Sequence, residues 1–67
     1  SLGKLALSPK QHAVFMQLLA GRPNKLIAEH LSMAEGTVKA HLNSVYRVLK
    51  VKNRSQAILL ARDLRII

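Results

Sequence analysis

The 67-residue sequence has no cysteine and no tryptophan, only one phenylalanine and one tyrosine, and only three acidic residues. Without cysteine there can be no disulfide and no thiolate metal site, so packing alone has to hold the fold. With Phe15 and Tyr46 as its only aromatics, the chain cannot build the stacking platforms that single-strand binders use for unpaired bases. Apolar runs such as VFMQLLA and AILLA fall well short of the roughly 18 residues a membrane span requires, and no signal-peptide pattern opens the chain. A soluble, cytoplasmic chain that spans no membrane is expected. Glu29, Glu35 and Asp63 stand against 11 lysines and arginines, giving a formal charge of +8. Such an excess suits a polyanionic partner, nucleic acid first and an acidic membrane surface second. The shortage of aromatics favours duplex over single-stranded nucleic acid.

A chain this short forms one domain and buries only about 60% of its unfolded surface, so its core has to be compact. SLGKLAL has no clear period and no initiator methionine. Residues 1–7 are therefore read as a tether and 8–67 as the domain, from a chain expected to be part of a longer protein. Ser8-Pro9-Lys10-Gln11 is a helix start, with Ser8 as N-cap, proline at the first helical position and Gln11 completing a capping box. A first helix is predicted over 9–20, its core stripe Val14, Phe15, Leu18 and Leu19, stopped by Gly21 with Pro23 beyond it.

Asn24 is expected to cap a short second helix over 25–31 that turns Ile27, Ala28 and Leu31 inward and leaves Leu26 outside. Ser32-Met33-Ala34 makes a three-residue turn. A third helix follows over 35–50 on the stripe Val38, Leu42, Val45 and Leu49. Asn53-Arg54-Ser55-Gln56 repeats the capping pattern for a fourth helix that carries Ala57, Ile58, Ala61 and Leu64 inward. No period-2 segment reads as a strand. The fold class is all-α, a compact four-helix domain containing a helix-turn-helix.

The third helix has a second face. At roughly 100° per residue, Lys39, Asn43, Arg47 and Lys50 lie near Gly36 around the helix, away from the apolar stripe. A glycine there costs about 1 kcal/mol of helix propensity relative to alanine. A short helix, a tight turn and a longer helix with a small basic face form the layout in which the second helix enters the DNA major groove. Gly36 and Ala40 would then let the backbone come close, while Lys39 can donate to guanine and Asn43 can match adenine. Asn24, Lys25 and Thr37 sit at helix N-termini, where free N–H groups and the helix dipole favour phosphate. Arg47, further along the basic face, joins the phosphate set.

The stretches NKLIAEHL, EGTVKAHL and VKNRSQAILLA, in this order and spacing, resemble the LuxR-type DNA-binding domain of the NarL/FixJ class over nearly the whole chain. The resemblance implies the effector domain of a bacterial transcription regulator, usually a homodimer on duplex DNA, whose third helix reads the major groove. It places base contacts on Lys39, Ala40 and Asn43, phosphate contacts on Asn24, Lys25 and Thr37, and dimer contacts on the outer face of the last helix, here Leu59, Arg62 and Asp63. A two-component response regulator with a missing N-terminal regulatory domain is the expected parent, and RNA polymerase a further partner. The chain departs from the family in having Gln11 and Ala13 where glutamates are frequent, Leu26 where a charge is common, Ala34 in place of a serine cap, and Lys50 where glycine often follows the helix.

Other chemistries find little support. His12, His30 and His41 form no i, i+4 pair and have no cysteine or carboxylate to complete a metal site, and neither a nucleophile elbow nor a glycine-rich phosphate loop is present. Neither enzyme nor cofactor is expected. The alternative from another class is a basic helical module that docks on a partner protein or an acidic surface. That use should surround bulky apolar residues with lysine and arginine on one helix, which the third helix does not do.

Overall fold

The computed structural model describes residues 7–65, and over them the chain forms four helices, α1 (Pro9–Leu19), α2 (Asn24–Leu31), α3 (Glu35–Leu49) and α4 (Arg54–Asp63). Helix α1 begins as its sequence requires. The Gln11 amide donates to Ser8 Oγ at 3.2 Å while the Ser8 amide donates to Gln11 Oε1 at 3.0 Å, so two otherwise unpaired N–H groups satisfy each other's side chains. At α4, Asn53 Oδ1 accepts from the Gln56 amide at 2.9 Å, but the Gln56 side chain reaches one residue further back and takes the Lys52 amide at 2.7 Å. The reciprocal box expected there is thus opened by one residue.

The first three helices end by the same device. A residue in the left-handed region reverses the chain, and the next amide bonds to the carbonyl five residues back: Arg22 to Gln17 (3.3 Å), Met33 to Ala28 (2.9 Å) and Val51 to Tyr46 (2.9 Å). Only the first of the three uses glycine. Gly21 has φ 87°, whereas Ser32 (φ 55°) and Lys50 (φ 58°) hold the same conformation with a Cβ in place.

Helix α3 packs against each of the other three helices. Val38, Leu42, Val45 and Leu49 are buried, and they meet Val14, Phe15 and Leu18 of α1, Ile27 and Ala28 of α2, and Ala57 and Ala61 of α4 in one core. Each of the buried valine, leucine, isoleucine and phenylalanine side chains contributes about 1.5–3 kcal/mol by leaving water. No polar or charged residue is buried among the described residues. A hydrogen bond between residues far apart in sequence supplements this packing. Arg54 Nη2, from the first residue of α4, donates to the Arg22 carbonyl at 2.8 Å and ties α4 to the α1–α2 loop.

Three expectations are corrected. Asn24 does not cap α2. The extended Pro23 (φ −71°, ψ 160°) occupies the cap position without a side-chain bond, and Asn24 is the first helical residue. Leu64 is not a core residue, because α4 stops at Asp63 and the residue after it is half exposed. Leu7, assigned to the tether, is half-buried against the core, while residues 1–6 of that tether lie outside the described residues.

The left-handed Lys50 gives a stability test. A non-glycine residue in this region carries roughly 1–2 kcal/mol of steric cost, so Lys50→Gly is expected to stabilise the domain by about 1 kcal/mol, seen as a higher urea midpoint with an unchanged slope. An unaltered midpoint would mean that the helix end already accommodates the lysine.

Candidate nucleic-acid interface

The helix-turn-helix is α2, the turn Ser32–Ala34 and α3. Its angle rests on two features of the turn: left-handed Ser32 redirects the chain, and Met33 packs partly against the core. Ala34 starts α3 in an extended conformation with no side-chain cap bond. A serine, threonine or aspartate would add about 1 kcal/mol at that position, so α3 owes its position chiefly to its buried stripe.

With that stripe facing inward, Gly36, Thr37, Lys39, Ala40, Asn43 and Arg47 are all exposed on the other side. Lys25 is exposed at the start of α2, and Asn24 beside it is half-buried. The predicted base-facing and phosphate-facing residues are thus exposed, apart from half-buried Asn24. Leu59 is 54% exposed, and Arg62 and Asp63 are exposed with it on α4. Nothing in the fold calls for glycine at position 36. It sits in ordinary helical conformation, and a Cβ built there would meet no atom within 4 Å.

Between the start of α2 and the middle of α3 lies an open hollow lined by Asn24, Lys39, Leu42, Asn43 and Tyr46. Its volume of about 140 Å³ is below the roughly 300–1,000 Å³ of small-molecule sites. Of the lining residues, Asn24 has its carboxamide Oδ1 buried without a hydrogen-bond partner, the only such side-chain atom among the described residues. An unpaired buried acceptor typically costs about 1–3 kcal/mol. Tyr46 lies half-buried beside it, and burial pushes its hydroxyl above the usual tyrosine range, an effect opposed by the Arg54 charge. The hydroxyl therefore remains a neutral donor at physiological pH.

Two of these features escaped the sequence. Tyr46 has the helical register to stand beside Lys39 and Leu42, and that spacing was the available signal. The bond from Arg54 to the Arg22 carbonyl spans 32 residues and has no local signature. The histidines separate instead of converging on a ligand, and His30 Nδ1 donates to Gln17 Oε1 at 3.2 Å, joining α2 to α1.

Residues 5–61 match the family model of bacterial regulatory proteins, luxR family. The chain belongs to the luxR family. It is 49% identical over 59 residues to the glycerol metabolism activator of Pseudomonas putida, covering 88% of this chain and 27% of that protein. It is 35% identical over 51 residues to the nitrate/nitrite response regulator protein NarL of Escherichia coli strain K12, covering 76% and 24%. To the CsgBAC operon transcriptional regulatory protein of the same strain it is 37% identical over 57 residues, covering 85% and 26%. The chain thus spans about a quarter of the length of these relatives. Helix-turn-helix domains of the luxR type are duplex-DNA-binding units of transcription regulation, and the four helices described above are such a unit.

Gly36 can be tested as a point of close approach. Gly36→Leu should fold normally, since its side chain enters open space and gains up to about 1 kcal/mol of helix propensity, yet it should bind duplex DNA more weakly than the parent. Undiminished binding by the folded variant would remove Gly36 from the interface.

Proposed function

We propose that the domain binds specific duplex DNA sequences as the output part of a bacterial transcription regulator, with α3 in the major groove. The observation that carries this reading is the division of α3. One face supplies more of the core than any other helix, and the opposite face is polar, small and basic, with a glycine the fold does not need. Lys39 and Asn43 offer hydrogen bonds to base edges, and the Ala40 methyl suits a thymine methyl. Asn24, Lys25, Thr37 and Arg47 hold the flanking phosphates, which set register without reading sequence. The mechanism is binding, not catalysis.

Two domains pair on DNA through α4, with Leu59 at the twofold axis and Arg62 and Asp63 at its rim. A self-complementary contact puts the same residue on both sides of the axis, so one exposed leucine per chain gives an apolar centre. So small a contact falls short of the roughly 1,200 Å² of a stable interface, and pairing depends on DNA or on an attached regulatory domain to raise the effective concentration. A cytoplasmic response regulator, with an N-terminal regulatory domain and RNA polymerase as a further contact, is the parent this reading favours. Its support is the likeness to the nitrate/nitrite response regulator.

Site selection from random duplexes tests the whole reading, because it reports duplex preference, sequence and half-site spacing together. On the selected site, Lys39→Ala and Asn43→Ala should each lose about 1–3 kcal/mol of discrimination against scrambled DNA and keep their helical content. Equal loss on specific and scrambled DNA would remove base reading from these two residues.

Leu59→Asp sets two carboxylates against each other at the proposed axis. It should abolish cooperative occupation of DNA with two half-sites while leaving binding to a single half-site intact. Gel-shift titrations with both DNAs measure this, and unaltered cooperativity would move the dimer contact off α4.

A further inference from the structure

The orphan Oδ1 of Asn24 is the one buried polar atom among the described residues whose partner the fold does not supply. It is an acceptor and can be satisfied only by a donor. Three of the residues that line the same hollow carry donors: Lys39 its ammonium, Asn43 its amide and Tyr46 its hydroxyl. None of them is bonded to it in the free protein. Tyr46 is a rigid, half-buried ring. Asn43 sits about 40° further around α3 from the buried stripe than Lys39 does, and its own carboxamide has an acceptor to satisfy as well. Lys39 has three donors, no acceptor and a flexible four-carbon stem. In the free protein water hydrates the exposed ammonium. A duplex seated on α3 would exclude that water, and a charged hydrogen bond gains strength in such surroundings.

Resting on the reading of α3 as the recognition helix, we infer that Asn24 is a positioning residue for Lys39. With DNA bound, Asn24 Oδ1 accepts one hydrogen bond from the Lys39 ammonium and so directs the two remaining donors to a single base pair. The other half of the carboxamide, Nδ2, stays available for the phosphate contact at the start of α2. One asparagine thereby couples backbone position to base reading.

The test uses the site selected by the parent domain and a panel of its single base-pair substitutions. Lys39→Ala should lose about tenfold preference at one base-pair position. Asn24→Ala should lose preference at that same position, about threefold or more, and Lys39→Ala combined with Asn24→Ala should lose no more than Lys39→Ala alone. Asn24→Asp keeps the acceptor and adds a charge. It should retain the base preference while weakening every duplex alike, because the added negative charge repels the phosphates. Should Asn24→Ala fail to fold, Asn24→Leu, closer in size, takes its place. The inference is overturned if Asn24→Ala weakens all duplexes uniformly and adds fully to Lys39→Ala, or if Asn24→Asp loses the preference as completely as Asn24→Ala. A Lys39→Ala variant with unchanged preference at every position would sink the base-reading assignment itself, and the inference with it.

Discussion

Everything else in this domain depends on α3 being held by one face while the other stays free. In a chain of this size the stability margin is narrow, and Val38, Leu42, Val45 and Leu49 are the residues on which the other three helices converge. Truncating Leu42 or Leu49 to alanine would cost about 2–5 kcal/mol, a large share of what such a domain can have. Those positions are not available for changing function. The outward positions are, because no buried polar network links them to the core and Gly36 faces empty space. The division separates the residues that fold the helix from those proposed to meet DNA, so on that reading sequence preference can change without disturbing the fold.

The orientation of that helix comes from the chain reversals. The left-handed residue before each connection sets the direction in which the next helix leaves, and two of the three reversals use Ser32 and Lys50 instead of glycine. Packing around them, including half-buried Met33 and Val51, outweighs the local steric cost. The bond from Arg54 to the Arg22 carbonyl adds a constraint of a different kind. It joins the first residue of α4 to the loop that leads into Asn24 and Lys25, so the element proposed to dimerise and the end of α2 proposed to hold phosphate are mechanically connected.

Local signals were legible in the sequence and non-local ones were not. The capping box at Ser8 and Gln11, the stop at Gly21 and the buried stripe of α3 depend on neighbours within a few residues, and each was read correctly. Asn24 was misread because its side-chain type favours a cap, whereas Pro23 already takes the extended cap conformation and Asn24 becomes the first helical residue. Leu64 was misread because helical periodicity was carried one residue past the end of α4. The Arg54 bond and the orphan Oδ1 appear only when residues distant in sequence meet. For the interface, the wheel of α3 was enough to pick out its exposed face, while the hollow shared with α2 had to wait for the structure.

Charge ties these parts together. A domain with a formal charge of +8 repels its own copy, and at roughly 0.1 M salt that repulsion persists over about 10 Å. In the proposed dimer the α4 contact is too small to overcome it unaided. Duplex DNA removes the obstacle as well as supplying the template, because each phosphate contact neutralises part of the charge that keeps the two domains apart. Salt then acts in two directions: it screens repulsion between domains, and it weakens the phosphate contacts through the counterions that binding releases. The second effect grows with every phosphate contact, whereas the first saturates once the screening length is shorter than the separation of the charges. Pairing and DNA binding should therefore be lost together as salt rises, even though salt by itself favours bringing two such basic domains into contact.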